Sequence, residues 1–339
     1  MSDSSLAERI IHDLTAIFNR NPNMYSHCEP LEFDVIPVDC KLQNKCPVLV
    51  VDHRLALESW CVQHVFTFIY AKIIDSRLNR LKLANDKLKE WTRVILLINP
   101  DLTLAWNIRK ELVESNCISI AEELKLSEVI LTRKAKSPDN FFHRQFLLKK
   151  LLKENIIEEN IVSNELRVSL DAASRYQRNY YAWAHRIWVL QNFGTSLNII
   201  NFDLNVTKHW VESHISDYSA FHYRQFLYSL LLDIISAQNN DNLSEFVNIM
   251  QAELDFLNGL FAIYPDHESL FMHRRYILQQ MCNLFPEQVN KVKENEVNFI
   301  DTSVSQSYSN SVSNQWQFEL IRKHTIWIKR VLKWDLDSE

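Results

Sequence analysis

An aromatic residue followed three positions later by an arginine recurs five times along the chain: Trp106/Arg109, Phe141/Arg144, Trp183/Arg186, Phe221/Arg224 and Phe271/Arg274. The arginines stand 35, 42, 38 and 50 residues apart. A period in this range is one helix–turn–helix unit per repeat, and stacked units of that kind form a solenoid. The spacing predicts an all-α fold, a right-handed superhelix of antiparallel helical hairpins in the manner of tetratricopeptide stacks. Glycine usage agrees. The 339 residues include 2 glycines, Gly194 and Gly259, whereas sheets, hairpins and phosphate-cradling loops need glycine where φ must be positive.

Residues three apart share a helix face, so each ring and its guanidinium point the same way. Two positions after the arginine a second aromatic follows in four repeats (Phe146, Trp188, Phe226, Tyr276), then an aliphatic (Leu147, Val189, Leu227, Ile277). The rings are read as packing between hairpins. A partly buried guanidinium must be paired. The arginines are therefore expected to clamp a carboxylate or helix-end carbonyls of the adjacent repeat, with an anionic ligand or partner protein as the alternative. Outer helices are predicted at Lys87–Ile98, Ala121–Lys134, Glu165–Tyr176, Val206–His214 and Phe246–Ile263. Three regions follow. Residues 1–85 hold N-terminal helices around an irregular, proline-bearing insert (20–53), with helical periodicity resuming at Leu55. Residues 86–285 hold the five repeats, with a loop at Gln238–Asn242. Residues 286–339 hold a Ser- and Asn-rich flexible linker, Asp301–Asn314, and a capping helix, Gln315–Trp334.

The net charge of −5 and the lack of a basic stripe argue against a nucleic-acid partner. The longest purely apolar run, Val94–Ile98, is too short to span a bilayer, and the first residues are polar, so a cytoplasmic chain without membrane insertion is expected. The six cysteines lack zinc-knuckle spacing. His27, Cys28, Cys40 and Cys46 lie close enough in sequence to offer a metal site as an alternative to buried or free thiols. Autonomous hydrolase or kinase motifs are missing, and the two glycines do not recur at a tetratricopeptide period.

Ser137, Asn179 and Asp217 each lie four residues before a repeat aromatic and are good helix N-caps; Pro138 follows the first, and Asn99-Pro100 plays a similar part in the first repeat. Several helix N-termini should then line one edge and attract anions. Lys136 and Arg178 immediately precede two of these caps, which makes a phosphate site there the sharper reading and solvated turn residues the plainer one.

The segments NYYAWAHRIW (179–188), FFHRQFLLKKLL (141–152), FHYRQFLYSLLL (221–232) and FMHRRYILQQM (271–281) resemble the repeats of protein prenyltransferase α subunits. PVLVVDHRLALESWC (47–61) and LLINPDLTLAWNIRKEL (96–112) are similar to a divergent α-like branch, distinct from the α subunits of farnesyltransferase and Rab geranylgeranyltransferase. The resemblance covers nearly the whole chain. It implies a crescent of hairpins around a β subunit that holds the zinc, the isoprenoid pocket and most protein-substrate contacts. The pair would move a prenyl group from its diphosphate to a cysteine near a protein C-terminus. For this branch it implies a Rab-type β subunit, geranylgeranyl diphosphate as co-substrate, no metal or cofactor on this chain, and Rab-like GTPases, SNARE-type or other cysteine-terminated proteins as substrates. The family has a lysine five positions before the second-repeat aromatic, near the leaving diphosphate, which falls on Lys136. Its Asn-Tyr pair in the third repeat falls on Asn179 and Tyr180, and Tyr181 stands where histidine is frequent. Lys136 and Tyr180 are thus the expected catalytic residues, with Arg178, Asn179 and Tyr181 beside them at the diphosphate edge. Phe141 replaces tryptophan after Asp139-Asn140, so peptide contacts of that turn do not carry over. The alternative is a non-catalytic scaffold or escort for a β subunit or Rab-like GTPases.

Overall fold

The computed structural model describes residues 3–20, 31–38, 46–78, 83–155, 159–194, 196–238, 243–309 and 314–335. The chain divides into two compact units, Met1–Phe193 and Gly194–Glu339. In the first, helix α1 (Asp3–Arg20), strands β1 (Glu32–Ile36), β2 (Val48–Val51) and β3 (Arg54–Glu58) and helix α2 (Ser59–Leu78) precede three helical hairpins. These are α3 (Asn85–Ile98) with α4 (Thr103–Glu114), α5 (Ile120–Arg133) with α6 (Pro138–Lys153), and α7 (Glu159–Arg175) with α8 (Tyr180–Phe193). The second unit holds α9 (Leu197–Ser213) with α10 (Tyr218–Gln238), α11 (Leu243–Ile263) with α12 (Glu268–Leu284), and α13 (Val289–Ser309) with α14 (Asn314–Trp327), the last running into a π-helical turn, Ile328–Leu332.

Each inner helix (α4, α6, α8, α10, α12) carries one aromatic/Arg pair. All five rings and all five arginines are buried, as are the aliphatics three positions after each arginine. The second aromatics, Phe146, Trp188, Phe226 and Tyr276, are half-buried. One sequence period thus gives one burial pattern, and helix identity follows from the packed face more than from propensity.

Three departures from the sequence reading have physical reasons. Part of the insert and the segment from Leu55 form a sheet rather than irregular chain and helix. Its strand order is β1-β3-β2, with β1 parallel to β3 (Glu32 opposite Arg54) and β2 antiparallel (Val51 opposite Arg54). The two-residue turn uses Asp52 at φ 54°, so aspartate supplies the left-handed residue that glycine usually would. The sheet buries Leu31, Phe33, Leu55 and Leu57 in the first unit's core and docks on α5 through Phe33 N–H to Thr132 Oγ1 at 3.0 Å. Second, Asp301–Ser309 continues α13 instead of forming a linker. Third, α9 begins nine residues ahead of the expected start, because Ser196 Oγ accepts from Ile199 N (3.4 Å) and caps it. The loop residues 239–242 and the candidate metal-site residues His27, Cys28 and Cys40 lie outside the described residues.

Candidate functional site

Two constellations are built on the hairpins, one inside and one at the turns. Inside, Arg109 on α4 meets Glu123 on α5 (Nε–Oε1 2.6 Å), and the same carboxylate accepts from His143 Nε2 on α6 at 2.8 Å. Arg144, Glu165 and His185 repeat this across α6, α7 and α8, with Arg144 Nε–Glu165 Oε2 and His185 Nε2–Glu165 Oε2 both at 2.9 Å. In the second unit Arg224, Glu253 and His273 do so across α10, α11 and α12, and Arg274, Glu296 and His324 across α12, α13 and α14. Asp203 and Tyr223 make a tyrosine version of the acid–histidine contact. Every arginine also reaches back to the outer helix of its own hairpin. Arg109, Arg144, Arg186 and Arg224 each donate through Nη1 to a carbonyl and to a Ser or Thr hydroxyl: Lys89 and Thr92, Leu124 and Ser127, Leu166 and Ser169, Leu204 and Thr207. Arg274 uses Asn258 Oδ1 instead, at 2.8 Å.

Burial would raise the carboxyls of Glu123, Glu165, Glu253 and Glu296. The adjacent guanidinium and the histidine hydrogen bond outweigh it and hold each at about 2. An ionised carboxylate only accepts, so each histidine must carry its proton on Nε2. Burial keeps His143, His185, His273 and His324 below the ordinary imidazole value, against the pull of the glutamates. The rings are packed as well: Trp106 lies 4.6 Å from His143, Phe141 5.3 Å from His185, Phe221 5.2 Å from His273 and Phe271 5.5 Å from His324, centroid to centroid. The guanidiniums and carboxylates are buried and paired with one another, which holds the hairpins together; the Nδ1 atoms of His143 and His185 are buried without a partner. The series has ends. Ile108 occupies the histidine position of α4, and Thr325 occupies the arginine position of α14, its hydroxyl turned to the Ile321 carbonyl at 3.0 Å.

The histidines and acids were not singled out in the sequence. The signal was present: Glu123, Glu165, Asp203 and Glu253 each lie 20 residues before their His or Tyr, which in turn immediately precedes the arginine. The α13–α14 hairpin carries the acid, the histidine and Trp327 at the second-aromatic position, so it is a degenerate sixth hairpin of the same kind.

At the turns, Ser137 Oγ accepts from Asn140 N (3.4 Å), Asn179 Oδ1 from Ala182 N (3.3 Å) and Asp217 Oδ1 from Ala220 N (3.2 Å). Asn99 instead closes a turn onto Asp101 N (3.3 Å), and Leu102 precedes α4 without a side-chain cap. The caps occupy N–H groups that an anion would use, so the helix ends alone offer less than the sequence reading expected. What the edge of the first unit does present is side chains. Lys136 is half-buried, with Nζ 4.7 Å from the centroid of the Tyr176 ring. Among the described residues no carboxylate lies in ion-pair range of it, whereas Lys134, two residues earlier, is paired with Asp101. Arg178 is exposed with φ 55°. Tyr180 is 62% exposed, and its ring meets that of Tyr181 edge-on at 5.6 Å. Asn179 is buried, and its amide is consumed by the carbonyls of Ala135 (2.7 Å) and Ala172 (3.1 Å). It is a tie between turns. Asp139 accepts from Thr103 Oγ1 (2.7 Å) and Asn140 donates to the Ser127 carbonyl (2.9 Å), both internal roles. No group of three or more His, Cys, Asp or Glu among the described residues is placed to hold a metal ion, and no described helix is long and apolar enough to cross a membrane.

Comparison with known proteins agrees with this architecture. The protein prenyltransferase alpha subunit repeat matches residues 162–193, 200–231 and 250–281, which are hairpins α7–α8, α9–α10 and α11–α12. Protein prenyltransferase alpha subunit repeat-containing protein 1-B of Xenopus laevis is 33% identical over 326 residues, covering 84% of this chain and 74% of that protein. The human protein prenyltransferase alpha subunit repeat-containing protein 1 is 32% identical over 349 residues, covering 90% and 85%. The geranylgeranyl transferase type-2 subunit alpha of Rattus norvegicus is 25% identical over 203 residues, covering 57% of this chain and 34% of that subunit.

Proposed function

The chain belongs to the family of protein prenyltransferase alpha subunit repeat-containing proteins, and from that premise we propose that it is the α-like subunit of a heterodimeric protein geranylgeranyltransferase. One observation carries the reading: Lys136 stands half-buried at the turn edge beside Arg178 and the exposed Tyr180, with its Nζ 4.7 Å from the Tyr176 ring centroid and no carboxylate among the described residues in ion-pair range. A diphosphate leaving group gains negative charge as its carbon–oxygen bond stretches. A fixed, unneutralised ammonium stabilises that charge more than it stabilises the ground state. The exposed Tyr180 hydroxyl adds a hydrogen-bond donor, and Arg178 a second cation on the same edge. Tyr181 supplies a ring where a histidine would supply charge. The buried clamps keep these turns in register from below.

In this reading the chain lacks the rest of the machinery. A β subunit supplies the zinc that activates the acceptor thiolate and the pocket for the isoprenoid. The similarity to a type-2 geranylgeranyl transferase α subunit favours a Rab-type β subunit, with geranylgeranyl diphosphate and cysteine-terminated Rab-like GTPases or similar proteins as co-substrates.

The test is co-expression with a Rab-type β subunit, followed by co-purification and prenyl transfer to a cysteine-terminated protein. The isolated chain is expected to transfer nothing and the pair to turn over. Lys136→Ala is expected to lower turnover roughly ten- to a thousand-fold while the pair still co-purifies. Unchanged turnover in an intact Lys136→Ala pair removes the catalytic role and leaves a scaffold or escort.

A further inference from the structure

We infer that Tyr176 is a positioning residue for Lys136, holding the ammonium at the turn edge without neutralising it, so that it meets an anionic phosphate ready placed. This rests on the reading of Lys136 proposed above.

A lysine side chain on a turn loses rotamer freedom when it is fixed. Proteins usually fix it with a carboxylate, as Asp101 does for Lys134. A carboxylate also cancels the charge, and the lysine is then of little use to an incoming anion. An aromatic face does the first job and not the second: the ring quadrupole attracts the cation, yet the net charge of the pair stays positive. Tyr176 has this geometry, with Lys136 Nζ 4.7 Å from its centroid. The ring is 48% exposed and Lys136 is half-buried, so the pair lies at the protein surface.

The backbones of the two residues are locked to each other. Asn179 Nδ2 donates to the carbonyl of Ala135, the residue before Lys136, and to the carbonyl of Ala172, four residues before Tyr176. Ser137, the residue after Lys136, donates to Asp101 Oδ1 at 2.7 Å, and its N–H bonds the Lys134 carbonyl at 3.2 Å. Lys136 is thus flanked on both sides by tied residues, and one buried amide joins its turn to the helix that bears Tyr176. The neighbouring Arg178, in left-handed conformation, is exposed on the same turn.

The experiment uses the full-length purified chain and inorganic pyrophosphate as the probe. Lysines are acylated with an amine-specific reagent, and the rate at Lys136 is read by peptide mass spectrometry against pyrophosphate concentration, with Lys134 as internal control. In the wild-type chain pyrophosphate is expected to protect Lys136 selectively. Tyr176→Phe keeps the ring and is expected to retain that protection. Tyr176→Leu is expected to need about two- to five-fold more pyrophosphate for half-protection. Circular dichroism melts of the three proteins should coincide, because the side chain is half exposed; a lowered midpoint in Tyr176→Leu alone would make Tyr176 a structural residue and overturn the inference. Equal protection in Tyr176→Leu overturns the positioning role and leaves Lys136 as an anion site. No selective protection in the wild-type chain overturns the reading of Lys136 itself.

Discussion

A buried arginine persists only where its N–H groups find acceptors, and here each of the four complete clamps gives it a carboxylate from the next hairpin and acceptors on the outer helix of its own. Removing one member strands the others. Glu165→Leu leaves Arg144 and His185 facing an apolar side chain, and is expected to cost about 3–5 kcal/mol in denaturant unfolding. The triple change Arg144→Met, Glu165→Leu, His185→Phe removes the uncompensated groups together and is expected to recover most of that loss. The rings and guanidiniums of these clamps were legible because both lie on one helix with a fixed spacing of three. The acids were harder to see from the arginine side. They follow it by 14, 21, 29 and 22 residues, since the connection between hairpins varies in length. Counted from the histidine or tyrosine the spacing within one hairpin is 20 for three of the four histidine clamps and for the Tyr223–Asp203 pair, because the turn there has a fixed length, and 28 for Glu296 and His324 in the degenerate last hairpin. Lys136 was legible by position, but its ring partner was not: Tyr176 belongs to the neighbouring turn, and only the folded register brings the two together.

The hairpin β2–β3 shows how one residue can hide an element. A count of glycines takes positive φ to be glycine's province, yet Asp52 adopts φ 54° and turns the chain by itself. Valine at that position has no side-chain hydrogen bond to offer and a Cβ branch that crowds the left-handed region. Asp52→Val is expected to lower the thermal midpoint by the equivalent of about 1–2 kcal/mol, and Asp52→Gly to leave it unchanged or raised. The sheet also gives the outer helices a second fastening, through Phe33 N–H to Thr132 and Glu32 to Arg175. Arg133 caps α3 by donating to the carbonyls of Leu97 (2.6 Å) and Ile98. The turn edge that bears Lys136 follows α5 by three residues, so the docking of the sheet bears on the element that presents the lysine. In the C-terminal part, the Ser and Asn content of 301–309 resembled a linker, but Glu296 must reach Arg274 and His324 at once, and that need keeps α13 helical and packed.

At the scale of the whole molecule the clamps act in unison on pH. The four histidines have an ordinary value of 6.5 and are held below it in the fold, so the unfolded chain binds their protons first. Stability is then fully present above pH 6.5 and declines as pH falls beneath it. The four glutamates, lowered from 4.5 to about 2, add a second and steeper loss between those values. Thermal midpoints recorded from pH 8 to pH 3 should be flat at first, fall below 6.5, and fall faster below 4.5. A curve that rises on acidification would contradict the assigned protonation of the clamps.

Thr325 has a bearing on how such chains lengthen. A hairpin copied in the interior brings an acid for the guanidinium ahead of it and a guanidinium for the acid behind it, so both new seams close. One appended beyond α14 would meet a hydroxyl already bonded to its own helix, and its acid would lack a guanidinium. A further seam at α14 would call for a guanidinium in place of Thr325, whereas a copy placed between existing hairpins would need no such change.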